Sequence, residues 1–251
     1  MALLSKELLH LNRKMKIVLL VIVIISLATL FFLWRDMSYK SLGQNAAYKA
    51  PMNVYTAAEK LMVRGKFDRA LKRYEEAERM LRQIPDVDLS DDFYYAIVNN
   101  ALGTVHLRIG IYGKSDNDNS IKSRADLAKD HESIIQAQGF FDISINAYQK
   151  WLDEHRPAPE KIAALYKSRE GVAEDKIELE PFERYERALS ISWTNRGMAL
   201  RYLGDIAGAT AAYEKAMELW DDNNTAQANL ESMREVIAEE KSKDEQKVLD
   251  R

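Results

Sequence analysis

The side chains best able to act as bases or metal ligands near neutral pH are the four histidines, and their spacing gives them nothing to act with. His10, His106, His131 and His155 are never three or four residues apart, and no H-E-x-x-H occurs. His131-Glu132 and Asp153-Glu154-His155 each join one histidine to acids, the pattern of a solvated helical face. His106 falls in an apolar stretch and reads as a packed aromatic substitute. Asp116, Asp118 and Ser120 alternate like the first ligands of a calcium loop. Ile121 stands where that loop needs its glycine, however, and Leu127 where it needs its closing glutamate. The chain has no cysteine, which excludes disulfides and thiolate-bound zinc, haem or iron–sulfur centres. It carries no phosphate-cradling G-x-x-x-x-G-K-[ST], no G-x-G-x-x-G and no G-x-S-x-G. Glu75-Glu76 and Asp221-Asp222 read as surface charge. The expectation is a non-enzymatic chain with no catalytic, metal-binding or cofactor-binding residue and no small-molecule substrate.

The informative spacing belongs instead to small and aromatic residues. In residues 190–223, Trp193, Gly197 and Leu200 precede Gly204-Asp205, and Ala209, Tyr213 and Ala216 follow. Gly197 and Ala209 would let two antiparallel helices approach closely, while Trp193, Leu200, Tyr213 and Ala216 fill the space between them. Gly204 suits a left-handed helix end and Asp205 the turn after it. Residues 51–84 repeat the plan, with Gly65-Lys66-Phe67 as turn, Ala70 at the crossing, and Tyr74 and Ala77 behind it. Val54 and Ala58 stand in for the tryptophan and first glycine. A third copy, 96–155, reads as split. Its first helix carries Leu102-Gly103 and stops at Gly110; its second carries Phe141, Tyr148 and Trp151; an insertion from Ile111 to about Gln138 divides them. Residues 224–240 read as a capping helix and 241–251 as a charged fraying helix or tail.

This pattern resembles the tetratricopeptide repeat, a 34-residue helix–turn–helix unit. Arg196 departs from the family's leucine and Asp221 from its proline. The resemblance covers most of 51–240 and implies an all-α fold: a helix–turn–helix solenoid with a helical insertion. It further implies that the first helix of each repeat lines a concave, partner-binding face. The positions so implied are Tyr55, Glu59 and Met62, then Asn100, Thr104 and Arg108, then Thr194, Met198 and Arg201. Tyr55, Glu59, Ala101 and Ile191 occupy places where some relatives clamp a terminal carboxylate with Lys, Asn and Arg, so that clamp is absent.

Location follows from the N-terminus. Ile17 to Trp34 is free of charge. At about 1.5 Å per residue it spans about 27 Å, close to a bilayer core of about 30 Å. It reads as an uncleaved transmembrane anchor embedded in lipid. A cleaved signal peptide is the competing reading, with Gly43 to Ala47 the one small-residue stretch near it. Lys6, Arg13, Lys14 and Lys16 precede the run, whereas Arg35 and Lys40 follow it. That bias keeps residues 1–16 in the cytoplasm and sends the repeats across the inner membrane into a periplasm, beyond a linker at 35–50. Of 36 basic and 39 acidic side chains, four and one lie in residues 1–34, leaving the remainder at net −6. Such a domain is poorly suited to nucleic acid. Between the second and third hairpins, Arg156-Pro-Ala-Pro159 should break the chain, a helix should run from Pro159 to Val172, and Pro181 should open a long helix. The expected role is a membrane-tethered scaffold that binds protein partners and assists a membrane or periplasmic complex. A constitutive subunit of such a complex is the alternative. An enzyme with its site in 111–189 is the remote one, for want of convergent groups there.

Overall fold

The computed structural model describes residues 46–113 and 131–249. These residues form eight α-helices and one short 3-10 helix, with no strand among them. Helix α1 spans Ala46–Val63, α2 Phe67–Arg82, α3 Phe93–Tyr112 and α4 His131–His155. After α5 (Pro159–Ser168) and the 3-10 turn Glu174–Lys176 come α6 (Pro181–Leu203), α7 (Ile206–Leu219) and α8 (Asn224–Leu249).

Two turns share one closing device. Lys66 N–H donates to Leu61 C=O at 2.9 Å and Gly65 N–H to Met62 C=O at 3.0 Å. Asp205 N–H donates to Leu200 C=O at 3.0 Å and Gly204 N–H to Arg201 C=O at 3.1 Å. This is the Schellman closure, which needs a left-handed residue just past the helix; Gly65 and Gly204 have φ of 69° and 86°. Asp205 then caps α7 by accepting from Gly208 N–H at 2.8 Å.

Small residues set how closely the helices approach. A Cβ on Gly197 would lie 2.6 Å from the Tyr213 ring, and one on Gly103 would lie 2.5 Å from the Phe141 ring. In both hairpins an aromatic ring of the second helix rests on bare backbone of the first. The contacts Gly110–Ile134 and Phe93–Tyr148 continue the α3–α4 line in opposite senses, so these helices are antiparallel. Phe67 stacks on Tyr112 at 6.3 Å while Arg82 reaches Tyr95 at the other end, so α2 and α3 are antiparallel too. Helix α4 meets α6 through Ser144 and Ser192, 3.0 Å apart, and through an Asp142–Arg196 ion pair at 2.7 Å. Phe93 meets Tyr185 and Asn100 meets Asn195, so α3 and α6 run side by side in the same sense.

Burial follows position. Helix α2 buries one stripe, Ala70, Tyr74, Ala77 and Leu81, and leaves its charged face to solvent. Helix α3 is apolar nearly all round and buries twelve residues, as suits an element held between α2, α4 and α6. Ala209, Tyr213 and Ala216 are buried in α7, and Trp193 is half-buried against the last hairpin. Arg169 pairs with the buried Glu183 at 2.7 Å, fastening the loop before α6 to that helix's first turn.

Several boundaries differ from the sequence expectation. Helix α3 passes through Gly110 and ends at Tyr112, because Gly110 serves the close approach to Ile134 and is no stop signal. Helix α4 already runs from His131, burying Ile134 and Ala137, so the interruption is shorter than Ile111 to Gln138. Helix α5 ends at Ser168, short of Val172, whereas α8 continues through Leu249. Helix α1 starts at Ala46, inside the expected linker. The proposed anchor, residues 17–34, and the calcium-like loop lie outside the described residues. Among the described residues no helix is long and apolar enough to cross a membrane.

Replacing Gly197 by Leu should lower stability by about 1–3 kcal/mol in urea unfolding, since the rigid Tyr213 ring occupies the added volume. Gly139 in α4 faces open space, so Gly139→Ala should instead add roughly 0.5–1 kcal/mol. Burial pushes the Tyr213 phenol up to about 12. An unfolded tyrosine titrates near pH 10. Its stabilising contribution is therefore complete below about pH 10 and is lost as pH rises towards 12. Because the Tyr213 hydroxyl is buried without a partner, Tyr213→Phe should keep stability at pH 7 and make the alkaline loss less steep. Chemical denaturation across pH 7–12 reads both effects.

Candidate binding groove

The first hairpin's turn opens onto α3 as a groove of about 620 Å³. Met62, Val63, Arg64 and Gly65 supply one wall, Phe67 begins α2, and Thr104, Arg108 and Tyr112 supply the other wall from α3. Because α1 ends in the closure at Gly65, Arg64 lies at the helix terminus with its side chain exposed. Val63 beside it is 88% exposed. Phe67 and Tyr112 stack on each other and floor the groove. Arg108 lies one helical turn before Tyr112, with its guanidinium 5.6 Å from that ring's centroid and 3.4 Å from its hydroxyl. Contact of this kind orients a guanidinium while occupying only part of its five-donor edge. Among the described residues no carboxylate lines the groove.

Three of the nine sequence-derived positions, Met62, Thr104 and Arg108, thus converge. The others do different work. Tyr55 lies 5.7 Å from the Tyr74 ring, and the Tyr74 hydroxyl donates to the Glu59 carboxylate. Burial, then the neighbouring Glu59, holds both phenols well above their ordinary range. Glu59 therefore serves the α1–α2 hairpin as an internal acceptor. Asn100 accepts from Asn195 Nδ2 at 3.0 Å, which ties α3 to α6. Met198 is half-buried against the clusters on both sides of α6. Arg201 is half-buried, 3.4 Å from the Ser232 hydroxyl of α8.

Thr194 must be corrected outright. It is 2% exposed, and nothing outside the domain can touch it. Its hydroxyl donates to Ser190 C=O at 2.9 Å and accepts from Asn223 Nδ2 at 3.0 Å. Asn223 Nδ2 also donates to Ser190 Oγ at 2.8 Å, and its Oδ1 accepts from Ala226 N–H at 3.0 Å, capping α8. The Ser190 hydroxyl in turn donates to Ala216 C=O at 2.7 Å. One asparagine thereby joins α6, α7 and α8 through buried, satisfied polar groups. Its signal, an Asn followed by a helical run, was readable as a cap, but nothing in the sequence says which helices it joins.

Val63, Arg64, Phe67 and Tyr112 lie outside the binding positions that the resemblance implies. A helix end at Gly110 places Tyr112 in the insertion, and the spacing of the turn residues signals only a turn. His106 stacks on Phe140 at 5.2 Å and His155 on Trp151 at 4.6 Å. Among the described residues no group of three His, Cys, Asp or Glu side chains is gathered to hold a metal ion. No protein-family model, curated protein or solved structure matches the chain.

Asn223→Ala removes a helix cap and leaves buried groups of Ser190 and Thr194 with fewer partners. It should cost about 1–3 kcal/mol in urea unfolding and raise hydrogen exchange at the start of α8. The exposed Arg64→Gln should change stability by less than about 0.5 kcal/mol, which separates groove from core.

Proposed function

We propose that this chain is a non-enzymatic, membrane-tethered scaffold of the tetratricopeptide-repeat type. It binds protein partners and assists assembly or stability of a membrane or periplasmic complex. The observation that carries this reading is the convergence of Met62, Thr104 and Arg108 on one open groove with an apolar floor and a cationic rim. The matching glycine–aromatic contacts and Schellman turns of its hairpins support the repeat assignment. The tether rests on the uncharged run Ile17 to Trp34, and its orientation on the basic cluster before it. Confinement near a bilayer raises the effective concentration of any membrane or exported partner, so a modest groove suffices. Mixed apolar and charged lining suits a side-chain anchor with polar contacts around it.

The test is site-specific photocrosslinking in cells. A benzophenone side chain is introduced at Met62 or Thr104 in the groove, or at the exposed Glu214 on α7. Discrete protein adducts at 62 and 104 but not at 214 are the expected result. Adducts at 214 alone, or none at any position, would rule out the groove as the docking surface.

A further inference from the structure

Several cations of the described residues are held in ion pairs. On α2, Arg73 pairs with Glu76 and Arg82 with Glu78; on α7, Lys215 pairs with Glu218. Between helices, Arg156 pairs with Glu186, Arg169 with Glu183, Arg196 with Asp142 and Lys150 with Asp88. Arg64 and Arg108 are both exposed, both line the groove, and neither has a carboxylate partner among the described residues. Beneath them Met62, Phe67 and Tyr112 offer an apolar floor. Two guanidinium groups without a carboxylate partner among the described residues, set over an apolar cleft, match a ligand with carboxylates beside a bulky apolar side chain.

Resting on the reading of this chain as a protein-binding scaffold, we propose that the groove docks an acidic segment of the partner protein. Carboxylates meet Arg64 and Arg108, and one aliphatic or aromatic side chain enters between Met62 and Phe67. Arg108, already oriented by Tyr112, can present parallel donors to a single carboxylate, whereas Arg64 at the closed end of α1 contributes from the opposite wall. Apolar contact supplies the larger share of affinity, and the arginine pair supplies the preference for acidic over basic sequences.

The experiment uses the full chain in mild detergent and three fluorescein-labelled peptides that differ only in charge. Each has a central Leu-Phe pair flanked by Glu, by Gln or by Lys, and binding is read by fluorescence anisotropy. The Glu peptide should bind about tenfold more tightly than the Lys peptide at low salt, with the Gln peptide between them. Its affinity should fall as salt rises. The Arg64→Gln/Arg108→Gln double variant, with its helical circular dichroism checked, should lose that preference. Equal binding of all three peptides, or an undiminished preference in the double variant, would overturn the proposal. So would binding to vesicles of anionic lipid in place of the Glu peptide. The salt titration on the unaltered chain decides the matter even where the variant fails to fold. Crosslinks at Met62 with no peptide preference would remove the acidic specificity alone, whereas absence of crosslinks would remove the groove as the docking surface.

Discussion

An aromatic ring seated on a glycine governs this structure. Where Phe141 covers Gly103 and Tyr213 covers Gly197, no Cβ separates ring from backbone, and the two helices come together at that point. The contact fixes more than a distance. A ring that fits over one bare residue sets the register of the whole hairpin, because sliding by a single turn would drive it into a side chain. Gly110 under Ile134 gives α3 and α4 a second such point, so both the separation and the relative tilt of those helices are determined.

Once the hairpins are set, the contacts between them need only small or paired polar groups. Ser144 and Ser192 allow α4 and α6 to meet closely while satisfying each other, and Arg196 and Asp142 close the same interface nearer the surface. The groove arises from how the first hairpin differs from the last around the same turn. Counting from the turn glycine, the last hairpin places Arg201, Leu203 and Ile206 where the first places Met62, Arg64 and Phe67. Leu203 and Ile206 pack on core clusters, and Arg201 reaches α8. In the first hairpin an arginine replaces the leucine, and the wall facing α3 stays open. One backbone device thus yields a sealed joint at one end of the array and a cleft at the other.

Much of this was legible in the sequence because its signals are local. Gly65 and Gly204 announce left-handed turns, Gly197 with Tyr213 announces a close crossing, and Pro159 and Pro181 open helices where expected. What was not legible depends on partners distant in the chain. Gly110 reads as a stop until Ile134, beyond the interruption, is seen to lie over it. Thr194 carries a surface residue's polarity at an expected partner-facing position, yet Asn223, 29 residues on, draws it into the core. Tyr112 joins the groove only because α3 continues one half-turn past Gly110 to reach Phe67. A single sequence announces which residues turn, cap or crowd; which of them share a cavity is settled by register between helices.

Net charge misleads about the groove. The residues after position 34 sum to −6, which taken as a whole would repel an acidic ligand. At physiological ionic strength, however, exposed charges are screened over about 8 Å. A carboxylate approaching Arg64 and Arg108 therefore responds chiefly to charges within about one screening length. The acids of α2 and α7 that pair with their own helical neighbours present dipoles more than free charges. Local pairing, not the sum, decides the sign of the field at the cleft. The same screening limits long-range attraction, so an acidic partner would gain little steering from afar and most of its selectivity on contact. The proposed tether would compensate for that loss, because a partner held at the same membrane would not have to be attracted from solution.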